Sequence, residues 1–126
     1  MPFTQVSLRK GRSLDYRRQL IEEIYLAMRE SISTPENDRF ATITELEAGN
    51  FDTSGDYLGI SRSDDIVYIQ ITLNRGRTTD KKKALYAAIA ERLSANLGIR
   101  KEDIVISLLE VSPEDWSLGN GVAQYA

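Results

Sequence analysis

Histidine and cysteine are both absent from this 126-residue chain. Imidazole bases, thiol nucleophiles, disulfides, Cys/His zinc sites and Ser-His-Asp triads are excluded together. Chemistry must then come from carboxylates, arginine, lysine, tyrosine, hydroxyls or the chain terminus. The chain begins Met1-Pro2, and a small second residue usually allows removal of the initiator methionine, which would leave the secondary amine of Pro2 exposed on the first strand. An α-amino group titrates at roughly 7.7–8.0 before perturbation, nearer neutrality than any other group available here. Burial beside cations lowers that value and a nearby carboxylate raises it, so one group can serve as base or as acid.

A second candidate is Arg75-Gly76-Arg77, at the end of a strand and the start of a helix. Two guanidinium groups and free backbone N–H groups there could hold a small carboxylate; the alternative is a pair of solvated surface arginines. Asp38, in Asn37-Asp38-Arg39, reads from the residues alone as a strand-entry or turn carboxylate paired with Arg39, and Asp103 as its counterpart. Trp116 is the only tryptophan; it either seals a core or interface or helps to dry a catalytic amine. The lysine run 81–83 is the wet face of a helix.

The elements that must position these groups come as two copies. Residues 6–18, VSLRKGRSLDYRR, lie over 71–83, ITLNRGRTTDKKK, without a gap at an offset of 65 (71 − 6 = 65). Leu8/Leu73, Gly11/Gly76, Arg12/Arg77 and Asp15/Asp80 coincide, and the same offset pairs Gln5 with Gln70, Asp38 with Asp103 and Glu45 with Glu110. Each copy opens on an alternating strand: Val67, Ile69, Ile71 and Leu73 share one face, Tyr68, Gln70 and Thr72 the other. A glycine turn follows, then Ser13 or Thr78 at the N-cap and Asp15 or Asp80 in the first turn. Apolar residues then step by four, Leu20, Ile24, Met28, Ile32 and Leu85, Ile89, Leu93, Leu97, which predicts two amphipathic helices. Pro35 and Gly98 end them, and second strands are expected near 39–46 and 104–110.

The predicted fold is therefore α+β: two βαβ units with right-handed crossovers form a four-stranded sheet carrying both helices on one face. The units cover about 2–46 and 66–111 of a single domain. A polar loop at 47–65 joins them, with a short hairpin expected around Tyr57 to Ile60, and a hairpin or tail runs from 112 to 126. The other sheet face, with Phe3, Gln5, Tyr68, Gln70 and Thr72, suits a subunit interface, so a homo-oligomer is expected.

Composition narrows the partners. A formal charge of −3 and a pI near 5.0 supply no basic field for nucleic acid or anionic lipid. No apolar run approaches the roughly 20 residues that cross a bilayer, and no leader pattern is present, which points to the cytoplasm. No metal or cofactor is expected.

At these residues the chain resembles the tautomerase superfamily, most closely its malonate semialdehyde decarboxylase group, over nearly its whole length. Leu8-Arg9-Lys10-Gly11-Arg12-Ser13 and Leu73-Asn74-Arg75-Gly76-Arg77-Thr78 are similar to the GR[ST] start of 4-oxalocrotonate tautomerase-like units. Glu114-Asp115-Trp116-Ser117-Leu118-Gly119-Asn120-Gly121 is similar to the decarboxylase group's Asp-Trp-Ser-Phe-Gly-x-Gly tail. The resemblance implies a tautomerase-like fold assembled as a homotrimer, with Pro2 as the amino-terminal proline and Asp38 as the carboxylate that positions or activates water or substrate. It also implies that Arg75 and Arg77 bind the carboxylate of a small oxo acid, with Trp116 nearby. Leu118 stands where the group often has Phe, and Gly76 where it can have Pro, which bears on pocket shape.

Two mechanisms follow from the state of Pro2. A neutral amine would move a proton between enol oxygen and carbon, making the protein a keto–enol tautomerase of a 2-oxo acid. An amine kept cationic by Asp38 would act as general acid or polarise the carbonyl of a 3-oxo acid for decarboxylation or hydration. The joint presence of Asp38, Arg75 and Arg77 favours the second. A different class shares the β-α-β-β-α-β order: a ferredoxin-like module that binds a ligand without catalysis.

Overall fold

The computed structural model describes residues 2–126; the expected removal of Met1 lies outside the described residues. The order is β1 (Phe3–Arg9), α1 (Leu14–Ile32), β2 (Ala41–Leu46), β3 (Val67–Asn74), α2 (Thr79–Leu97) and β4 (Ile104–Val111), with short 3-10 turns between and after them. The strands form one sheet in the order β2-β1-β3-β4. β1 with β2 and β3 with β4 are parallel, as one crossover helix per unit requires, and β1 and β3 join the units antiparallel.

The two units repeat closely. Each helix has 19 residues, and α2 starts 65 residues after α1 (79 − 14 = 65). The Ser13 hydroxyl accepts the Tyr16 N–H at 3.1 Å and the Thr78 hydroxyl accepts the Lys81 N–H at 3.2 Å, satisfying donors that the first helical turn leaves open. Val6, Leu8, Ile69, Ile71 and Leu73 of the sheet meet Leu20, Ile24, Leu85, Ile89 and Leu93 of the helices in one buried core. The hydrophobic faces are thus consumed on one side of the sheet. Arg92 of α2 braces the helix pair by reaching Glu23 at 3.1 Å and Glu30 at 2.9 Å.

The helix ends differ in chemistry. Gly98 closes α2 in the left-handed region (φ 68°), whereas α1 is closed there by Ser33 (φ 58°). A side chain in that conformation costs about 1–2 kcal/mol, and glycine's extra unfolded-state entropy returns about 0.4–1 kcal/mol of any gain. Ser33→Gly is expected to stabilise the protein by about 0.5 kcal/mol, read as a rise in the urea midpoint at unchanged m-value.

Three sequence expectations are corrected. β2 begins at Ala41 rather than near 39, because residues 37–39 form a turn: Asn37 has φ 66° and its carbonyl accepts the Arg39 N–H at 3.0 Å. The hairpin expected around Tyr57 to Ile60 is a 3-10 turn, Tyr57–Gly59. One guanidinium nitrogen of Arg62 binds the Tyr57 and Ile60 carbonyls at 3.1 and 3.4 Å, so acceptors that a partner strand would use are engaged within the loop. The tail after β4 contains a 3-10 turn, Pro113–Asp115, and further turns, without a strand. Among the described residues, no helix is long and apolar enough to cross a membrane.

Candidate active site

Strand register decides which ends of the chain meet. Thr4 lies opposite Ala41, Phe3 opposite Thr72 and Asn74 opposite Val111. The starts of β1 and β2 and the ends of β3 and β4 therefore share one edge of the sheet. Pro2, Asp38, the Arg75-Gly76-Arg77 turn and Trp116 all flank that edge, although they are spread over the whole sequence. Pro2 is buried, and the next turn of chain is tied down by the Thr4 N–H, which donates to the Phe40 carbonyl at 2.9 Å.

Asp38 sits half-buried in the turn before β2, where its N–H donates to the Pro35 carbonyl at 3.3 Å. The expected pairing with Arg39 is not the arrangement that Arg39 adopts. Its guanidinium bonds Glu22 and lies 4.0 Å from the centroid of the Tyr25 ring. The cation–π contact and the ion pair to α1 draw Arg39 toward the helix layer. Burial raises the Asp38 carboxyl above its ordinary value, and the positive charge of the amino terminus acts in the opposite direction.

Across the edge, the Arg75 N–H donates to the Val111 carbonyl at 2.8 Å and continues the β3–β4 ladder. Gly76 has φ 123°, a backbone state that side chains rarely adopt, and Gly11 repeats it at 122° in the first unit. Arg75 is exposed, whereas Arg77 is half-buried and its Nη1 donates to the Asn74 carbonyl at 3.0 Å. Two N–H groups of the turn, those of Arg75 and Gly76, are engaged within the chain. Glu110 accepts from Lys82 at 2.8 Å, and that bond, with weaker help from Arg75 and the Gly76 backbone, holds its carboxyl below the ordinary range. Glu45 repeats the device by accepting the Gly11 N–H at 3.3 Å, which explains the Glu45/Glu110 match.

Trp116 closes the opposite side. Its indole N–H donates to the Asn74 side-chain oxygen at 2.7 Å. With Phe3, Arg39, Phe40, Thr42 and Leu118 it lines an open cavity of about 430 Å³, a volume within the range of small-molecule sites. Asn74 and Phe40 received no role from sequence reasoning, and Phe3, expected at a subunit interface, lines this cavity. The available signal was parity: Asn74 follows Tyr68, Gln70 and Thr72 at two-residue steps, on the face away from the helices.

The far edge is closed by internal partners. Asp103, 1% exposed, accepts from the Ser63 N–H and hydroxyl, each at 2.7 Å, and so anchors the inter-unit loop to the start of β4. Arg12 bonds Asp65 at 3.0 Å and packs on the Tyr16 ring. Its position at the opposite end of the sheet separates it from Pro2. No group of acidic, histidine or cysteine side chains suited to a metal ion occurs among the described residues.

Tautomerase enzyme family models match residues 38–119 and 2–60. The chain belongs to the tautomerase superfamily. It is 46% identical over 124 residues to the probable tautomerase YusQ of Bacillus subtilis (strain 168), covering 98% of each protein. It is 29% identical over 125 residues to the probable tautomerase YrdN of the same organism, covering 99% of this chain and 96% of that one. Among solved structures it superposes at a TM-score of 0.91 and 33% identity on FG41 malonate semialdehyde decarboxylase inhibited by 3-bromopropiolate, over 98% of this chain and 93% of that one.

Proposed function

We propose that the chain, once Met1 is removed, acts through the Pro2 amine on a small 3-oxo acid, as a malonate semialdehyde decarboxylase-like enzyme. The observation that carries this reading is the convergence of Pro2, Asp38, Arg75 and Arg77 at one sheet edge beside an aromatic-lined cavity. Arg75 and Arg77 bind the substrate carboxylate, and Asp38 keeps the amine cationic. The ammonium of Pro2 polarises the 3-oxo group. The C–CO2 bond breaks, its electron pair becomes an enolate held by that charge, carbon dioxide leaves, and a proton returns to carbon. The acceptor of negative charge must be preorganised, because the developing enolate gains most from a cation already in place.

A second reading, keto–enol tautomerisation of a 2-oxo acid by neutral Pro2, is favoured by the character of the bacterial relatives. The sheet face away from the helices presents Gln5, Ser7, Tyr68 and Gln70 around a shallow groove of about 370 Å³, and we assign it to the contacts of a homotrimer. The test of function is turnover of malonate semialdehyde beside ketonisation of an arylenolpyruvate, on Met-free protein. Faster decarboxylation supports the first reading and faster ketonisation the second. Absence of both overturns the proline chemistry for these substrates.

Asp38 supplies a pH signature. Its carboxyl is raised by burial, so folding shifts it toward the neutral form relative to the unfolded chain. The associated stability is present below the ordinary carboxylate value and is lost as pH rises through the raised one. Activity depends on the opposite, ionised form, so kcat/KM is expected to fall on acidification with a midpoint above the ordinary Asp value of 3.8. Asp38→Asn should lower the rate and abolish that acid limb. An acid limb that persists unchanged in the variant would remove Asp38 from the mechanism.

A further inference from the structure

We infer that Asn74 is the positioning residue that couples the cavity wall to the carboxylate-binding arginines; this rests on the function proposed above. Asn74 is the last residue of β3 and pairs in register with Val111, the last of β4. It therefore stands between the turn that carries Arg75 and Arg77 and the tail that carries Trp116. Its two oxygens face two different tasks. The side-chain oxygen accepts the Trp116 indole N–H at 2.7 Å, and the backbone carbonyl accepts Arg77 Nη1 at 3.0 Å.

Each contact removes a freedom that substrate binding would otherwise have to remove. Trp116 follows a 3-10 turn in a tail without strands, so packing and this hydrogen bond, rather than a β-ladder, set its ring orientation. Arg77 follows a glycine in a positive-φ state, and its long side chain loses rotamer choices by anchoring one nitrogen on Asn74. The guanidinium keeps further N–H groups for a ligand. Because β3 is a paired strand, both contacts are referred to the rigid sheet. A substrate carboxylate on Arg77 and an apolar or carbonyl portion against Trp116 would thus meet at a distance set by one residue.

The experiment reads the single tryptophan and the kinetics together. In Asn74→Ala the Trp116 emission maximum is expected to move to longer wavelength, while Asn74→Asp, which keeps an acceptor oxygen, should retain the wild-type emission. KM of Asn74→Ala for the oxo acid should rise about five- to tenfold, the order of one lost hydrogen bond, with kcat within about twofold. In a Trp116→Phe background the same substitution should add less than about twofold to KM. Unchanged emission in Asn74→Ala, or a KM effect of full size without Trp116, would overturn the assignment. If no variant, including the unsubstituted chain, turns over an oxo acid, the functional proposal fails, and the emission pair still decides whether Asn74 holds Trp116.

Discussion

Pro2→Ala, prepared without Met1, is expected to lose about 10²–10⁴-fold in kcat with KM nearly unchanged, the range that a positioned acid or base contributes. Alanine leaves an amine at the terminus, so the loss tests geometry as well as basicity. In proline the ring fixes the amine, whereas a primary amine rotates about its N–Cα bond and must be reordered at each turnover. The fold should change little, since Pro2 precedes β1 and lies outside its strand pairing. Circular dichroism and the thermal midpoint supply that control beside steady-state rates for the decarboxylation and ketonisation substrates. Full activity in the variant would leave the chain as a tautomerase-family protein working by another route.

The arginine pair provides the second large effect. Arg75→Ala and Arg77→Ala are each expected to raise KM by about 10–100-fold, because a hydrogen bond to a charged group contributes about 1.5–3 kcal/mol. The two should not be equivalent. Arg77 is half-buried and held by the Asn74 carbonyl at 3.0 Å, whereas Arg75 is exposed and shares its field with Glu110. Preorganisation therefore makes Arg77 the larger loss. Screening makes Arg75 the more sensitive to salt, since an exposed cation acts over a Debye length of about 8 Å at physiological ionic strength. Initial rates at low and high salt separate the two contributions. Arg77→Lys should recover little, because an ammonium cannot both bond Asn74 and present a planar fork to a carboxylate. Equal, salt-independent KM values in wild type and both alanine variants would remove the pair from substrate binding.

The two edges of the sheet make the link between fold and chemistry concrete. The repeat gives Arg12 and Arg77 similar turns and gives Asp38 and Asp103 similar positions ahead of their second strands. At the far edge the chain continues from Asp65 through Ile66 into β3, and Arg12 and Asp103 bind Asp65 and Ser63. At the near edge the corresponding strand, β1, follows Pro2 directly. Duplication thus yields two similar frames, and the proposed chemistry uses the one that holds Pro2.

Local patterns sufficed for the frame because strand alternation, helical spacing, N-caps and glycine turns depend on residues a few positions apart. The 65-residue match added the duplication, and the Glu45/Glu110 coincidence within it marked a real structural device. Pro2, the Arg75/Arg77 turn and Trp116 were likewise visible as unusual residues. Their meeting at one edge was not, since it depends on the antiparallel β1–β3 join and its register. The capture of Arg39 by Glu22 and Tyr25, the bond between Trp116 and Asn74, and the Arg62-braced loop also join groups that periodicity does not relate. Sequence alone determined which elements form and which side chains can do chemistry. Tertiary structure decided their partners, because those contacts arise only when packing the two units brings distant segments to the same sheet edge.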